Sequence, residues 1–136
     1  MITIKMKIRM KSILFLLFLA VTLNAQDNIG PESESFYFDA IVFDNQNSDS
    51  SRVDSFFMIP YQSLSFQGTG DVFGANFQIV ISVYDTSSMK VLSRSIERTV
   101  SAENYFQSLG GTGEFTKASL SFNLAPGEYT LKAELI

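Results

Sequence analysis

After residue 35, apolar and polar residues alternate with period two in several blocks, the pattern of β-strands with one buried face. Seven strands are predicted, at residues 36–43, 53–59, 61–66, 73–84, 89–100, 116–124 and 129–135. The block at 73–84 is the clearest, because Phe77, Ile79 and Ile81 fall on one face. Residues 36–43 and 53–59 are apolar on both faces, which predicts covered strands and, for the first, a central position.

Breaks in the alternation place the turns. Pro60 cannot donate a ladder hydrogen bond, so a kink or a sheet edge is expected there. Residues 101–104 carry a helix-start signal, which allows one short helical turn through Gln107. Residues 124–129 resemble a tyrosine corner, in which the hydroxyl of Tyr129 would bond back to the backbone near the preceding turn. A core tyrosine without that bond is the alternative.

Short strands, turn signals about every ten residues and almost no helix are typical of one fold class. We expect an all-β domain, an antiparallel two-sheet β-sandwich of immunoglobulin or fibronectin III-like type with about seven strands. An up-and-down barrel is the alternative. The pattern leaves the strand order open.

The first 25 residues predict a cleavable signal peptide with a helical apolar part, ahead of the domain. Lys5, Lys7, Arg9 and Lys11 precede an apolar run at 13–23, and the small residue Ala25 fits a cleavage site. Met6 and Met10 are alternative starts to Met1. Residues 26–35 contain one Gly-Pro pair, acids and serines, and are expected to form a flexible leader. Residues 36–136 then form the sandwich domain.

The apolar run is shorter than the roughly 20 residues that span a bilayer. The chain has no cysteine to carry a lipid, so no stable membrane anchor is expected after cleavage. The product would be periplasmic or extracellular. Cleavage leaves six basic residues against fourteen acidic ones, which moves the net charge from −4 to −8. Because phosphate binding needs clustered Lys and Arg, a nucleic-acid partner is disfavoured.

The chain contains no histidine and no cysteine, which removes Ser-His and Cys-His nucleophile pairs and thiolate or imidazole metal sites. The acidic stretch 44–49 lacks the glycine and the bidentate Glu of a Ca²⁺ loop, so a solvated turn is expected. The glycines at 110, 111 and 113 are better explained by positive φ than by phosphate binding. Asp39 and Asp85 are the one carboxylate pair considered as acid and base. We predict no catalytic, cofactor or metal residues, and no enzyme.

Four strings give a resemblance to a known family: Phe38 to Phe43, Phe57 to Phe66, the strand end at 83–85, and Leu124 to Tyr129. They resemble the N-terminal β-sandwich region of GWxTD-domain-containing proteins, which are exported bacterial proteins of largely unknown role. The resemblance covers residues 36–135 and implies no catalytic residues. The Gly-Trp-x-Thr-Asp motif itself is absent. Either the chain is shortened at its C-terminus, which the strand-like residues 131–136 favour, or the resemblance is to a generic sandwich.

These observations favour an exported bacterial module that binds an unknown protein or glycan partner through sheet edges or turns. The alternative is an accessory domain of an exported enzyme, such as a carbohydrate-binding module. That role would need a flat platform from exposed aromatics such as Tyr37, Tyr61, Tyr84 or Tyr105, although a packing role is expected for them. A small carboxylate-dependent hydrolase ranks last.

Overall fold

The computed structural model describes residues 1–8, 36–44, 49–111 and 113–136. This part of the chain is almost entirely β-structure with two short helical turns. Its elements are β1 (Ile2–Ile8), β2 (Tyr37–Phe43), β3 (Ser51–Pro60), a 3₁₀ helix (Tyr61–Ser63), β4 (Gln67–Thr69), β5 (Val72–Tyr84), β6 (Lys90–Ala102), α1 (Tyr105–Ser108), β7 (Phe115–Leu124) and β8 (Gly127–Leu135).

The strands form two antiparallel sheets, which confirms the predicted two-sheet sandwich. The three-stranded sheet has the order β2-β3-β7. The larger sheet has the order β1-β8-β5-β6, with the short β4 beside the start of β5. The periodicity leaves this strand order open. In it, the first strand of the chain, β1, lies beside the last, β8.

The core lies between the inner faces of the two sheets. Val53, Phe57 and Ile59 on β3 face Ile79 and Ile81 from the larger sheet, all at most 2 % exposed. The ring of Phe57 stacks on that of Phe38 with centroids 5.0 Å apart and planes 9° apart. Each such side chain contributes about 1.5 to 3 kcal/mol when fully buried, so packing supports the domain without disulfides.

Two local predictions are confirmed. Asn104 caps α1, because its side-chain oxygen accepts a hydrogen bond from the amide of Gln107 at 2.9 Å. The tyrosine corner is present, since the Tyr129 hydroxyl donates to the Ala125 carbonyl at 3.1 Å. The corner fixes the bend by which β7 leads into β8.

The strand predicted at residues 61–66 is wrong. Pro60 ends β3, and the chain turns at once into the 3₁₀ helix. The amide of Tyr61 donates to the Glu114 carbonyl at 3.0 Å, and the amide of Leu64 donates to the Tyr61 carbonyl at 2.9 Å. The first bond ties the 3₁₀ helix to the residue before β7, and the second closes the helical turn, so the short alternation that follows the proline does not extend the sheet.

The central position expected for residues 36–43 is also wrong. β2 is an edge strand of the three-stranded sheet. Its inner residues Phe38, Ala40 and Val42 pack on the core, whereas Tyr37, Ile41 and Phe43 are exposed. These three outer side chains are 43 to 56 % exposed. In β2, apolar residues on both faces therefore indicate an exposed apolar surface and not a covered strand.

The start of the chain, predicted to be the basic part of the signal peptide, forms a strand of the larger sheet. Residues 2–8 form β1, which pairs with β8 along its full length, and Ile8 is 5 % exposed. The predicted apolar run at 13–23 and the leader at 26–35 lie outside the described residues. Within the described ranges, no helix is long and apolar enough to cross a membrane.

Candidate binding surface on the three-stranded sheet

The outer faces of the two sheets differ in composition. On the larger sheet the outward positions of β5 and β8 are mostly polar, with Asn76, Gln78, Ser82 and Glu134 among them. The outer face of the three-stranded sheet carries a group of apolar side chains, which we call the outer patch: Tyr37, Ile41, Phe43, Phe56, Met58 and Phe115.

Strand register brings the outer patch together. Tyr37 on β2 pairs with Met58 on β3, and Pro60, at the end of β3, pairs with Phe115 on β7. Phe56 lies two residues from Met58 and therefore points to the same face. Paired and diagonal neighbours on one sheet face lie within reach of aromatic side chains. Tyr37, Met58, Phe56 and Phe115 thus form one surface that three strands build, whereas Ile41 and Phe43 lie farther along the same face, opposite Asp54 and Arg52.

Three aromatic side chains of the outer patch are about half exposed. Tyr37 is 56 % exposed, Phe115 46 % and Phe56 43 %. Single exposed apolar residues are ordinary, but contiguous apolar surface on a soluble protein marks an interaction site. The grouping on one face, more than any single exposure, makes this surface the candidate site.

Two shallow depressions meet on the outer patch. One, of about 270 Å³, is lined by Tyr37, Met58, Pro60 and Phe115 and by Gly110 and Gly113 of the glycine turn before β7. The other, of about 240 Å³, lies beside Tyr37, Phe56 and Met58. Both are below the roughly 300 to 1,000 Å³ typical of small-molecule pockets. The surface is therefore suited to a partner that lies across it.

The glycine turn forms one wall of the first depression. The positive φ expected of its glycines is found at Gly110 and Gly113 and not at Gly111. Gly110 has φ +70° and Gly113 has φ +77°. A β-carbon on Gly110 would lie 3.1 Å from the amide nitrogen of Gln62, so the turn packs closely on the 3₁₀ helix. Positive φ and close approach both require glycine there.

Charged groups border the outer patch. The Lys117 ammonium lies 5.4 Å from the centroid of the Phe115 ring, and the Arg52 guanidinium lies 4.9 Å from that of Phe43. Arg52 also forms an ion pair with Asp54, with 3.0 Å between a guanidinium nitrogen and Oδ2. The other carboxylate oxygen of Asp54, Oδ1, is buried without a hydrogen-bond partner. The border thus carries both signs of charge, and cations cover part of two ring faces.

The carboxylates considered for acid and base chemistry are not brought together. Asp39 lies on β2 of the three-stranded sheet, and its Oδ1 accepts from the amide of Ala40 at 2.8 Å. Asp85 follows β5 of the larger sheet, and its Oδ1 accepts from the amides of Ser87 and Met89 at 2.8 and 2.9 Å. Each side chain serves its own backbone, and Asp85 closes the hairpin between β5 and β6.

The acidic stretch 44–49, compared above with a Ca²⁺ loop, lies largely outside the described residues, because 45–48 are not among them. In the described ranges no three or more His, Cys, Asp or Glu residues are grouped so that they could hold a metal ion. The glycine turn, compared above with a phosphate-binding loop, contributes Gly110 and Gly113 to the wall of the first depression.

The four tyrosines considered for a platform lie on four different elements. Tyr37 belongs to the outer patch, while Tyr61 packs on Phe66 with centroids 5.1 Å apart. Tyr84 ends β5 and lies near Lys90 and Lys132, and Tyr105 on α1 packs on Phe73. The core role expected for these tyrosines is wrong for Tyr37 and Tyr105, which are 56 % and 63 % exposed.

Sequence reasoning missed the outer patch although its signal was present. The apolar residues on both faces of β2 and β3 were interpreted as burial, and the same residues are what the outer face exposes. Comparison with known proteins returned no match to any family model, curated protein or solved structure.

Proposed function

We propose that this protein is an exported bacterial β-sandwich module with a non-catalytic role, which binds a protein partner through the outer patch. The observation that carries the proposal is the contiguous apolar face of Tyr37, Phe56, Met58 and Phe115, which contrasts with the mostly polar outward positions of β5 and β8 on the larger sheet. We also keep the relationship to the N-terminal region of GWxTD-type proteins as a proposal. Its support is the short strings of strand residues given above.

The composition of the outer patch favours a protein over a glycan. Sugar rings stack on open aromatic faces, but the ring faces of Phe43 and Phe115 are partly occupied by Arg52 and Lys117. Ile41 and Met58 add aliphatic surface that a protein side chain fills well and a sugar does not. Carbohydrate binding, as an accessory module of an exported enzyme, is the alternative role for the same surface.

Export is supported by the charge and hydropathy of the first 25 residues. The test is cell fractionation of a bacterium that expresses the full chain, with intact-mass measurement of the product. We expect a product beginning at Gln26 outside the cytoplasm. A double change, Leu16→Arg with Leu17→Arg, should hold the precursor in the cytoplasm, and Thr22→Ser should not. An unprocessed cytoplasmic wild type would refute export.

The binding role is tested with a photo-crosslinking amino acid placed at Phe56 and, as a control, at Val72, which is also exposed but lies on the other sheet. We expect a discrete adduct with one envelope protein from position 56 only, lost when Tyr37→Ser is added. Equal adducts from both positions would reject the outer patch as the binding surface. Retardation of the purified protein in polysaccharide-containing gels, abolished by Tyr37→Ser, would favour the carbohydrate alternative.

A further inference from the structure

Residues 2–8 occupy the edge of the larger sheet in a specific register. β1 runs antiparallel to β8 with seven paired residues, from Ile2 opposite Ala133 to Ile8 opposite Gly127. Ile2, Ile4, Met6 and Ile8 face the core, while Lys5 and Lys7 face solvent. The Lys7 ammonium lies 2.6 Å from a Glu128 carboxylate oxygen. The segment has the alternation and the charge that this edge requires.

The place that β1 fills is that of the last strand of an immunoglobulin-type sandwich. In such sandwiches strands A, B and E share one sheet, and C′, C, F and G share the other. In chain order β2, β3 and β7 take the positions of A, B and E, and β5, β6 and β8 those of C, C′ and F. The tyrosine corner at Tyr129 independently marks β8 as strand F. Position G is filled by the segment expected to be cut away.

Removal of β1 would open a slot along β8. Leu131 and Ala133 on β8 are fully buried, and the apolar side chains of β1 pack on the core beside them. The backbone groups of β8 that face β1 would lose their partners together with this cover. Such an edge is a template for pairing with another strand. The segment that follows the cleavage site does not fit it, because residues 26–35 hold one aliphatic residue and a proline.

We propose that the exported protein binds an extended segment of a partner polypeptide along β8, as an added antiparallel strand in the place of β1. The donated strand has apolar residues at four alternate positions and a basic residue opposite Glu128. Main-chain hydrogen bonds supply affinity in this mode, and the alternate side chains supply selectivity. The inference rests on the export and cleavage in the proposed function, and it specifies a surface separate from the outer patch.

The test uses the protein that cells export and process from the full chain, with its intact mass measured first. The probe is a fluorescent peptide of residues 2–8. We expect one-to-one binding by fluorescence anisotropy and a rise in the thermal unfolding midpoint. A control peptide with Ile4→Asp and Met6→Asp should bind at least about tenfold more weakly, since two buried apolar contacts are lost.

A charge exchange tests the register without altering the core. Glu128→Lys in the protein should weaken binding of the peptide by about two- to fivefold, the range for an exposed ion pair. A peptide with Lys7→Glu should recover that loss in the Glu128→Lys protein and bind the wild type more weakly. Equal affinities in all four combinations would reject this register.

The outcomes separate the two proposals. A purified protein that still carries residues 2–8 refutes cleavage and with it the open slot, because β1 is then a permanent strand. A processed protein that fails to bind the peptide, including one whose slot another strand already fills, refutes the slot and leaves export and the outer patch intact. Binding that survives the control substitutions overturns the proposal as well, because it does not follow the strand pattern.

Discussion

The Tyr129 hydroxyl lies 3.1 Å from the carbonyl oxygen of Ala125, four residues before it, and closes the bend between β7 and β8. Gly127 lies inside this bend, where a β-carbon would be 3.0 Å from the same hydroxyl. The side chain and the turn are therefore fitted to one another. The bond holds the start of β8 in place for its pairing with β1.

Tyr129→Phe removes this hydrogen bond and keeps the ring. We expect a loss of about 0.5 to 1.5 kcal/mol in the free energy of unfolding, the usual net value of one internal hydrogen bond. Urea denaturation with an unchanged m-value measures it. Tyr105→Phe, at a mostly exposed ring, is the matched control and should change stability little. An effect of equal size in both variants would contradict a role for the corner.

Ser55→Ala should stabilise the domain. Ser55 is fully buried on the inner face of β3, and its hydroxyl has no hydrogen-bond partner. Burying an unsatisfied hydroxyl costs about 1 to 3 kcal/mol, so its removal should raise the free energy of unfolding by about 1 kcal/mol after the small loss of packing. Ser119→Ala, at an exposed site on β7, should be neutral. Chemical denaturation of both variants checks the difference.

Gly110→Ala and Gly70→Ala form a matched pair. Both glycines have positive φ, +70° and +66°, so both substitutions introduce left-handed strain of about 1 kcal/mol. Only at Gly110 would the new β-carbon meet backbone, 3.1 Å from the amide nitrogen of Gln62; at Gly70 the space is open. We expect the larger loss of thermal stability for Gly110→Ala, and equal losses would refute the close approach.

The attachment of β1 in the uncleaved chain should weaken in acid. The hydrogen bond and the charge of Lys7 lower the pKa of Glu128 below its ordinary 4.5. A lowered pKa in the paired state stabilises pairing above the ordinary pKa, and this contribution is lost as the pH falls through the lowered value. The protection factors of the amides at 2–8, obtained after correction for the intrinsic effect of pH on exchange, should fall over that range. In Glu128→Gln that pH dependence should disappear, and salt should weaken pairing only in the wild type.

Phe56→Ser tests whether the outer patch is surface and not core. Phe56 is 43 % exposed, so we expect only a modest change in stability, about 1 kcal/mol or less, together with reduced binding of a hydrophobic fluorescent dye. Val72→Ser, at a residue that is 55 % exposed on the other sheet, should leave dye binding unchanged. Unfolding caused by Phe56→Ser would show that the ring is structural.

The hydrophobic periodicity predicts a strand correctly where one face of the strand is buried and the other is exposed to solvent. β5, with Phe77, Ile79 and Ile81 in the core and Gln78 and Ser82 outside, is the clearest case. Local chemistry was sufficient for the Asn104 cap and the Tyr129 corner, because each depends on neighbours within four residues. Such features need no knowledge of the sheet order.

The hydrophobic pattern does not predict which strands pair when they are far apart in the sequence. The alternation Ile2, Ile4, Met6 and Ile8 was visible, but its basic residues and the apolar run behind it favoured a signal peptide, and nothing local indicates β8 as its partner. Likewise, apolar residues on both faces of β2 do not say whether the second face is covered. That depends on what packs there and not on the strand itself.

The bend at Ala125 sets one end of any strand that β8 can receive. Pro126, directly before β8, has no amide hydrogen to extend the ladder, and the other end of the pairing is Ala133. Seven residues at about 3.3 Å each give roughly 23 Å. A donor strand must therefore end or turn away from β8 at the proline, whereas its other end can continue along Glu134 and Leu135.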